Sequence, residues 1–146
     1  MQRSQLSDSA TVQENHERFL RRAVEHQSIW TVWGTSGPLI AKSTDDTGRD
    51  PPRDVYLFFS DEGYARRVLR EAWPDFPAYS TRSISLFDFL YRWLPGLHRD
   101  GHLAGTNWTG GLVGLELEPG DLRAQLLDGL PQDLGAQLRQ MLKSAK

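Results

Sequence analysis

His98 and His102 stand four residues apart, the spacing with which one helix face can point two imidazoles at a metal ion. Asp100-Gly101 lies between them and predicts a turn, and no third ligand stands at a matching distance. No metal site is expected there. His98-Arg99-Asp100 spells the opening of a kinase catalytic loop, yet the chain has no glycine-rich phosphate loop and no Asp-Phe-Gly. Asp45, Asp46, Asp50 and Asp54 crowd one polar stretch and could offer carboxylate oxygens to a hard cation. No glutamate closes an EF-hand spacing, and Arg49 and Arg53 can neutralise the same carboxylates, so the stretch reads as a solvated loop. Ser36 does not sit in G-x-S-x-G, so no nucleophile elbow is indicated. Asn107-Trp108-Thr109 has the form of a glycosylation acceptor, but Met1-Gln2-Arg3-Ser4-Gln5 does not begin an apolar signal stretch. Arg18, Arg21 and Arg22, and again Arg66, Arg67 and Arg70, form basic faces that suit an acidic partner. No catalytic residue and no cofactor is assigned.

The composition narrows the classes further. A chain of 146 residues predicts one domain. It is 38% apolar and 25% charged, an ordinary globular balance. Without cysteine there is no disulfide framework, thiolate ligand or thiol nucleophile. No run reaches the length of a membrane span, and a cytoplasmic location is expected. A net charge of −2 argues against a nucleic-acid partner. Arginine outnumbers lysine, 14 to 3, a hint of a GC-rich bacterial genome. Five tryptophans, Trp30, Trp33, Trp73, Trp93 and Trp108, suit either a core or an interface.

The elements that would position these residues follow from periodicity and turn chemistry. Residues 1–8 are polar and read as a flexible N-terminus. A helix is expected from Ser7–Ser9 to about His26, with Phe19, Leu20, Ala23 and Val24 on its apolar face. Ser28–Trp33 and Leu39–Lys42 read as a hairpin, and Val55–Phe59, apolar on both faces, as a third strand. Ser60 should cap a helix from Asp61 to about Trp73, stopped by Pro74 and Pro77. Tyr79–Ile84 is a strand, and Ser85-Leu86-Phe87-Asp88 has the form of a capping box opening a third helix that ends at Pro95-Gly96. His102–Trp108 and Leu112–Leu117 make a hairpin about Gly110-Gly111. Pro119 begins a helical region whose leucines recur every four residues, with Gly129 and Pro131 dividing it into two helices or kinking it. The fold class is α+β: a single compact domain with an N-terminal helix, a mixed or antiparallel sheet of about five to six strands, helices packed on it and a helical C-terminus. The domain proper covers residues 9–128, and residues 129–146 form a helical C-terminal extension that packs on its own domain or on a second copy.

Ser85-Leu86-Phe87-Asp88-Phe89-Leu90-Tyr91-Arg92-Trp93-Leu94-Pro95-Gly96-Leu97, continuing into Asp100-Gly101 and Gly105-Thr106-Asn107-Trp108, resembles a bacterial family of small proteins, domain-of-unknown-function family twenty-seven-fifty. That pattern is similar in an acidic-Phe-Leu helix, W-L-P-G-L, a D-G turn, G-x-N-W and a closing G-L-E-x-E-P, here Gly114–Pro119. The resemblance covers roughly Phe19 to Leu126. It implies one small bacterial domain and brings no catalytic residue.

W-L-P-G-L also has a local reading: Leu94-Pro95-Gly96 end a helix, Leu97 folds back on it, and Trp93 pins it to the sheet. Asn107 is expected to bond its neighbouring backbone. The leading functional expectation is a non-enzymatic protein-interaction module of adaptor, immunity or regulatory type, binding an unknown partner. Its partner-binding residues would be Trp30, Trp33, Trp93, Asn107 and Trp108, with an open strand edge at Trp30–Trp33 or Leu112–Leu117. The alternatives are a small hydrolase or transferase using His98 or His102 with Asp100, and a homodimer built on the C-terminal leucines.

Overall fold

The fold is that of a computed structural model, which describes residues 2–34, 37–44, 51–72 and 79–144. α1 spans Gln2–His26. It begins earlier than the Ser7–Ser9 cap signals imply, because a serine inside a helix costs only about 0.5 kcal/mol relative to alanine. Phe19 and Ala23, one turn apart, are fully buried and dock the helix.

β1 (Ser28–Gly34), β2 (Gly37–Pro38), β3 (Ile40–Lys42), β4 (Asp54–Phe59), β5 (Ser80–Ser85), β6 (Leu103–Thr106) and β7 (Leu115–Leu117) form one mixed sheet. β1 pairs antiparallel with β5 on one side, in register from Ser28↔Ser85 to Trp33↔Ser80. On its other side it pairs with β4 and then β2. β1 is therefore interior, which corrects the expectation of an open edge at Trp30–Trp33. Ile29 and Val32 bury opposite faces of β1, and backbone N–H and C=O groups held that deep need hydrogen-bond partners on both edges of the strand. Leu39 sits where β1 and β4 part. Its N–H donates to Val32 O, and its carbonyl accepts from Leu57 N–H. β4 runs parallel to β6, and β6 antiparallel to β7. The β6–β7 pair is the expected hairpin, but its connection is residues 107–114 instead of a two-residue Gly-Gly turn. Within it Leu112 N–H closes a turn onto Thr109 O, and Thr109 N–H reaches Val113 O.

α2 (Glu62–Ala72), α3 (Leu86–Asp88), a π-helical turn (Phe89–Trp93), α4 (Leu94–Arg99), α5 (Pro119–Asp128) and α6 (Gln132–Ser144) complete the chain. The Ser85 side chain caps α3 by accepting from Asp88 N–H, as the capping signal predicts. α3, the π turn and α4 follow without a break to Arg99, so Pro95-Gly96 do not end the helix. Proline has no N–H to donate and clashes with the carbonyl four residues back. The wider π turn, closed by Leu94 N–H on Phe89 O, delivers Pro95 to a first-turn position where neither matters. Leu97 consequently lies inside α4, buried in the core, and not beyond a helix end. Pro119 opens α5 as expected, and α6 follows as a separate helix.

The sheet is apolar on both faces. One core joins Phe19, Ile29, Phe58, Phe89 and Leu90 to Leu122, Leu126 and Leu138. The other joins Val32, Val55, Leu57, Phe59 and Trp108 to Ala65 and Val68 of α2. β4 feeds both, its alternate residues turned to opposite sides. Among the described residues no helix is long and apolar enough to cross a membrane.

Candidate functional site

β5 is a sheet edge: among the described residues it pairs with β1 alone. Its sequence, Ser80-Thr81-Arg82-Ser83-Ile84-Ser85, buries only Ile84, while Ser80, Arg82, Ser83 and Ser85 are exposed. Because paired residues share a face, Ser80, Arg82 and Ile84 lie on the side of Trp33, Thr31 and Ile29. The Arg82 guanidinium stands over the Trp33 ring, 4.4 Å from its centroid. Trp33 in turn meets Trp93 edge-on at 6.5 Å, and Trp93 meets Phe58 at 5.9 Å. Trp93 thus pins its helix to the sheet, as its place in W-L-P-G-L implies. Trp33 and Trp93 are both half-buried, so this cluster shows part of each indole to solvent beside an exposed arginine.

The opposite side of β5 is tethered to α2. Thr81 Oγ1 donates to Glu62 Oε2 at 2.6 Å, and Arg66 donates to the same oxygen at 3.2 Å. The Thr81 hydroxyl, followed by Arg66, holds the Glu62 carboxyl below its ordinary value of 4.5. The edge is therefore fixed from behind while its outer backbone faces away from β1.

The five predicted partner-binding residues are not gathered on one surface. Trp33 and Trp93 touch, whereas Trp30 lies on the other face of β1, against the α2-side core. Asn107 is fully buried and Trp108 is 3% exposed. The Trp108 indole N–H donates to Leu115 O at 2.8 Å, and its ring lies against Gly105 and Gly114, where any side chain would collide with it. Asn107 bonds across the fold and not locally. Its Oδ1 accepts from Ser60 N–H at 2.9 Å, and its Nδ2 donates to Ser60 Oγ and to Asn15 O. Asn107 has φ 47°, the left-handed region that asparagine tolerates better than most residues.

Of the residues of the enzymatic alternative, His102 and Asp100 line a shallow hollow of about 290 Å³, and His98 does not. His102 packs against the Tyr56 ring at 5.0 Å, His98 is exposed on α4, and Asp100 accepts from Arg99 at 3.3 Å. Burial, then Asp54 and Asp100, push the Tyr56 phenol above its ordinary value. Among the described residues no group of three His, Cys, Asp or Glu could hold a metal ion. Asp54 pairs with Lys42 at 2.5 Å, while Asp45, Asp46, Asp50, Ser36 and Trp73 lie outside the described residues.

Two features were missed from sequence. Arg82 stands in a polar strand with no motif around it. His16 is 3% exposed, its Nδ1 2.7 Å from Thr106 Oγ1 and its Nε2 2.6 Å from Gln125 Oε1. It knits α1, β6 and α5, and only its place on the apolar side of α1, one turn before Phe19, could have signalled it.

No curated protein and no solved structure matches the chain. One family model does, that of the Protein of unknown function (DUF2750), over residues 16–126. The match begins at His16 and ends at Leu126, taking in the sheet, the Asn107–Trp108 turn and most of α5. On that match, over most of its length, the chain belongs to the DUF2750 family of proteins of unknown function.

Proposed function

We propose that the chain is a non-enzymatic protein-interaction module and that it receives an extended segment of its partner along β5. The observation that carries this reading is the form of that edge. Natural sheets blunt their edges with short strands, bulges, prolines or several charges. β5 keeps six residues in unbroken register with β1, contains no proline and carries one charge, Arg82. Another edge, β7, has three residues, and its Glu116 is tied to Ser43 and Thr44. An added strand would satisfy the outer backbone groups of β5, and side-chain contacts would supply selectivity. Arg82 over Trp33 suits an acidic residue of the incoming strand, and the Trp33–Trp93 pair supplies a rigid aromatic anchor.

Backbone amides alternate in direction along a strand, so of Arg82 and Ser83 one points its N–H away from β1. Arg82→Pro and Ser83→Pro therefore divide cleanly. One breaks the β1 ladder, and the other removes only an outward donor. In capture from the source cell's lysate, the variant that stays folded by circular dichroism should lose a stoichiometric partner that the native chain and Glu116→Ala both retain. Full retention by that folded variant rules out β5 as the docking edge. A doubled mass in solution, lost in the same variant, would identify the incoming strand as β5 of a second copy.

A further inference from the structure

We propose that the cleft between α1 and α2 binds a small hydroxylated phosphate ester, its phosphate held by Arg18 and Arg67. The cleft encloses about 370 Å³ and is floored by the turn that follows β6, at Thr109 and Gly110. It opens beyond the carboxyl ends of the parallel pair β4 and β6, the position where ligands collect on α/β sheets. Each helix contributes one arginine, and both guanidiniums stand over the Tyr64 ring, at 5.0 and 5.1 Å from its centroid.

These two arginines differ from five others of the chain. Arg22, Arg53, Arg66, Arg92 and Arg99 each pair with a carboxylate. Among the described residues neither Arg18 nor Arg67 has a carboxylate within ion-pair distance. Arg18 Nε is also the buried side-chain polar atom that has no hydrogen-bond partner among those residues. A buried donor of a charged group left unbonded is costly, and an anionic acceptor relieves that cost. The Tyr64 hydroxyl donates to Asn107 O and Trp108 O at 3.2 and 3.0 Å, and Arg18 hydrogen-bonds its phenol oxygen, yet Arg18 Nε itself is left without a partner among the described residues. Burial, helped by Glu71, raises the Tyr64 phenol above the ordinary 10.0 even though Arg18 and Arg67 pull the other way, so it stays a neutral donor.

The geometry selects among anions. A planar carboxylate is matched by a single guanidinium fork, whereas a tetrahedral phosphate presents oxygens to two forks arriving from different helices. Glu71 lines the same cleft, giving two guanidiniums against one carboxylate. That carboxylate disfavours a bare multivalent anion but accepts a hydrogen bond from a hydroxyl on the ligand's organic part. The Tyr64 face is already covered by the two arginines, which leaves no free ring for a nucleobase.

The test is NMR of the arginine side-chain N–H groups of the full chain, titrated with glycerol 3-phosphate, inorganic phosphate and acetate. Glycerol 3-phosphate should shift the Arg18 Nε–H signal saturably, and more tightly than either other probe. Arg67→Gln, at an exposed position, should weaken that binding about tenfold or more, the scale of one lost charge-assisted hydrogen bond. Arg66→Gln, on the same helix but outside the cleft, should leave it unchanged. Absence of a saturable shift overturns the proposal. So does equal weakening by both variants, or acetate binding as tightly as the ester. Inorganic phosphate binding as tightly as glycerol 3-phosphate overturns the assignment of an ester with a hydroxyl on Glu71.

Discussion

Asn107 does three jobs with one side chain and one unusual backbone angle. Its amide joins the ends of β4 and β6 to α1, and its φ of 47° turns the chain from β6 toward Trp108. Replacing it with alanine leaves the buried Ser60 N–H unsatisfied, about 1–3 kcal/mol. Alanine also keeps a Cβ in the left-handed region without the polar group that lets asparagine adopt it, about 1–2 kcal/mol relative to glycine. Asn107→Gly removes the same bonds without that strain. Urea unfolding should therefore show both variants destabilised, with alanine the worse by about 1–2 kcal/mol. Equal losses would mean that the backbone angle relaxes at no cost. Sequence reading picked out Asn107 as a turn residue, which it is. It could not find partners 47 and 92 residues away, since their approach depends on how β4, β6 and α1 are packed.

At the scale of elements, local signals were obeyed where the chain is exposed and overruled where it is buried. Ser85 caps α3 because its hydroxyl is next to an unpaired amide at a helix start, a purely local fact. Pro95-Gly96 fail to stop the same helix because Leu94 and Leu97 on either side are buried, and a π turn accommodates the proline more cheaply than uncovering them. The tether between α2 and β5 makes a pH prediction. Glu62 has its carboxyl lowered below 4.5 by Thr81 and then Arg66. A lowered folded value means the carboxylate contributes stability above the unfolded value of 4.5, and loses it as pH falls through the folded one. Stability measured by urea unfolding should thus fall below that pH, and less steeply in Glu62→Gln. Identical slopes would show that Glu62 does not hold β5 to α2.

In the whole molecule the sheet lies between two cores, and the C-terminal helices are part of one of them. Leu122 and Leu126 of α5 and Leu138 of α6 share a cluster with Phe19 of α1, and Leu130 and Leu134 pack against it. Leu130, Leu134 and Leu138 therefore pack on the chain's own core, although the family match stops at Leu126. Leu138 is 4% exposed, so Leu138→Ala should cost about 2–5 kcal/mol in urea unfolding. A change near zero would show that α6 does not dock on the core.

The α+β class, the order of helices and strands, the apolar character of β4 on both faces and the family were legible in the sequence, while the burial of both β4 faces was not. Each of the legible features follows from periodicity, caps and short motifs, which are properties of neighbouring residues. Tertiary structure alone decided that β1 is interior and β5 an edge, that Trp33 meets Trp93 while Trp30 does not, and that Arg18 and Arg67 converge on Tyr64. The two arginine faces were visible as separate stripes on separate helices, and nothing local told which residue of each would turn toward the other. Strand order and helix docking are set by which apolar faces cover one another, a competition settled over the whole chain at once.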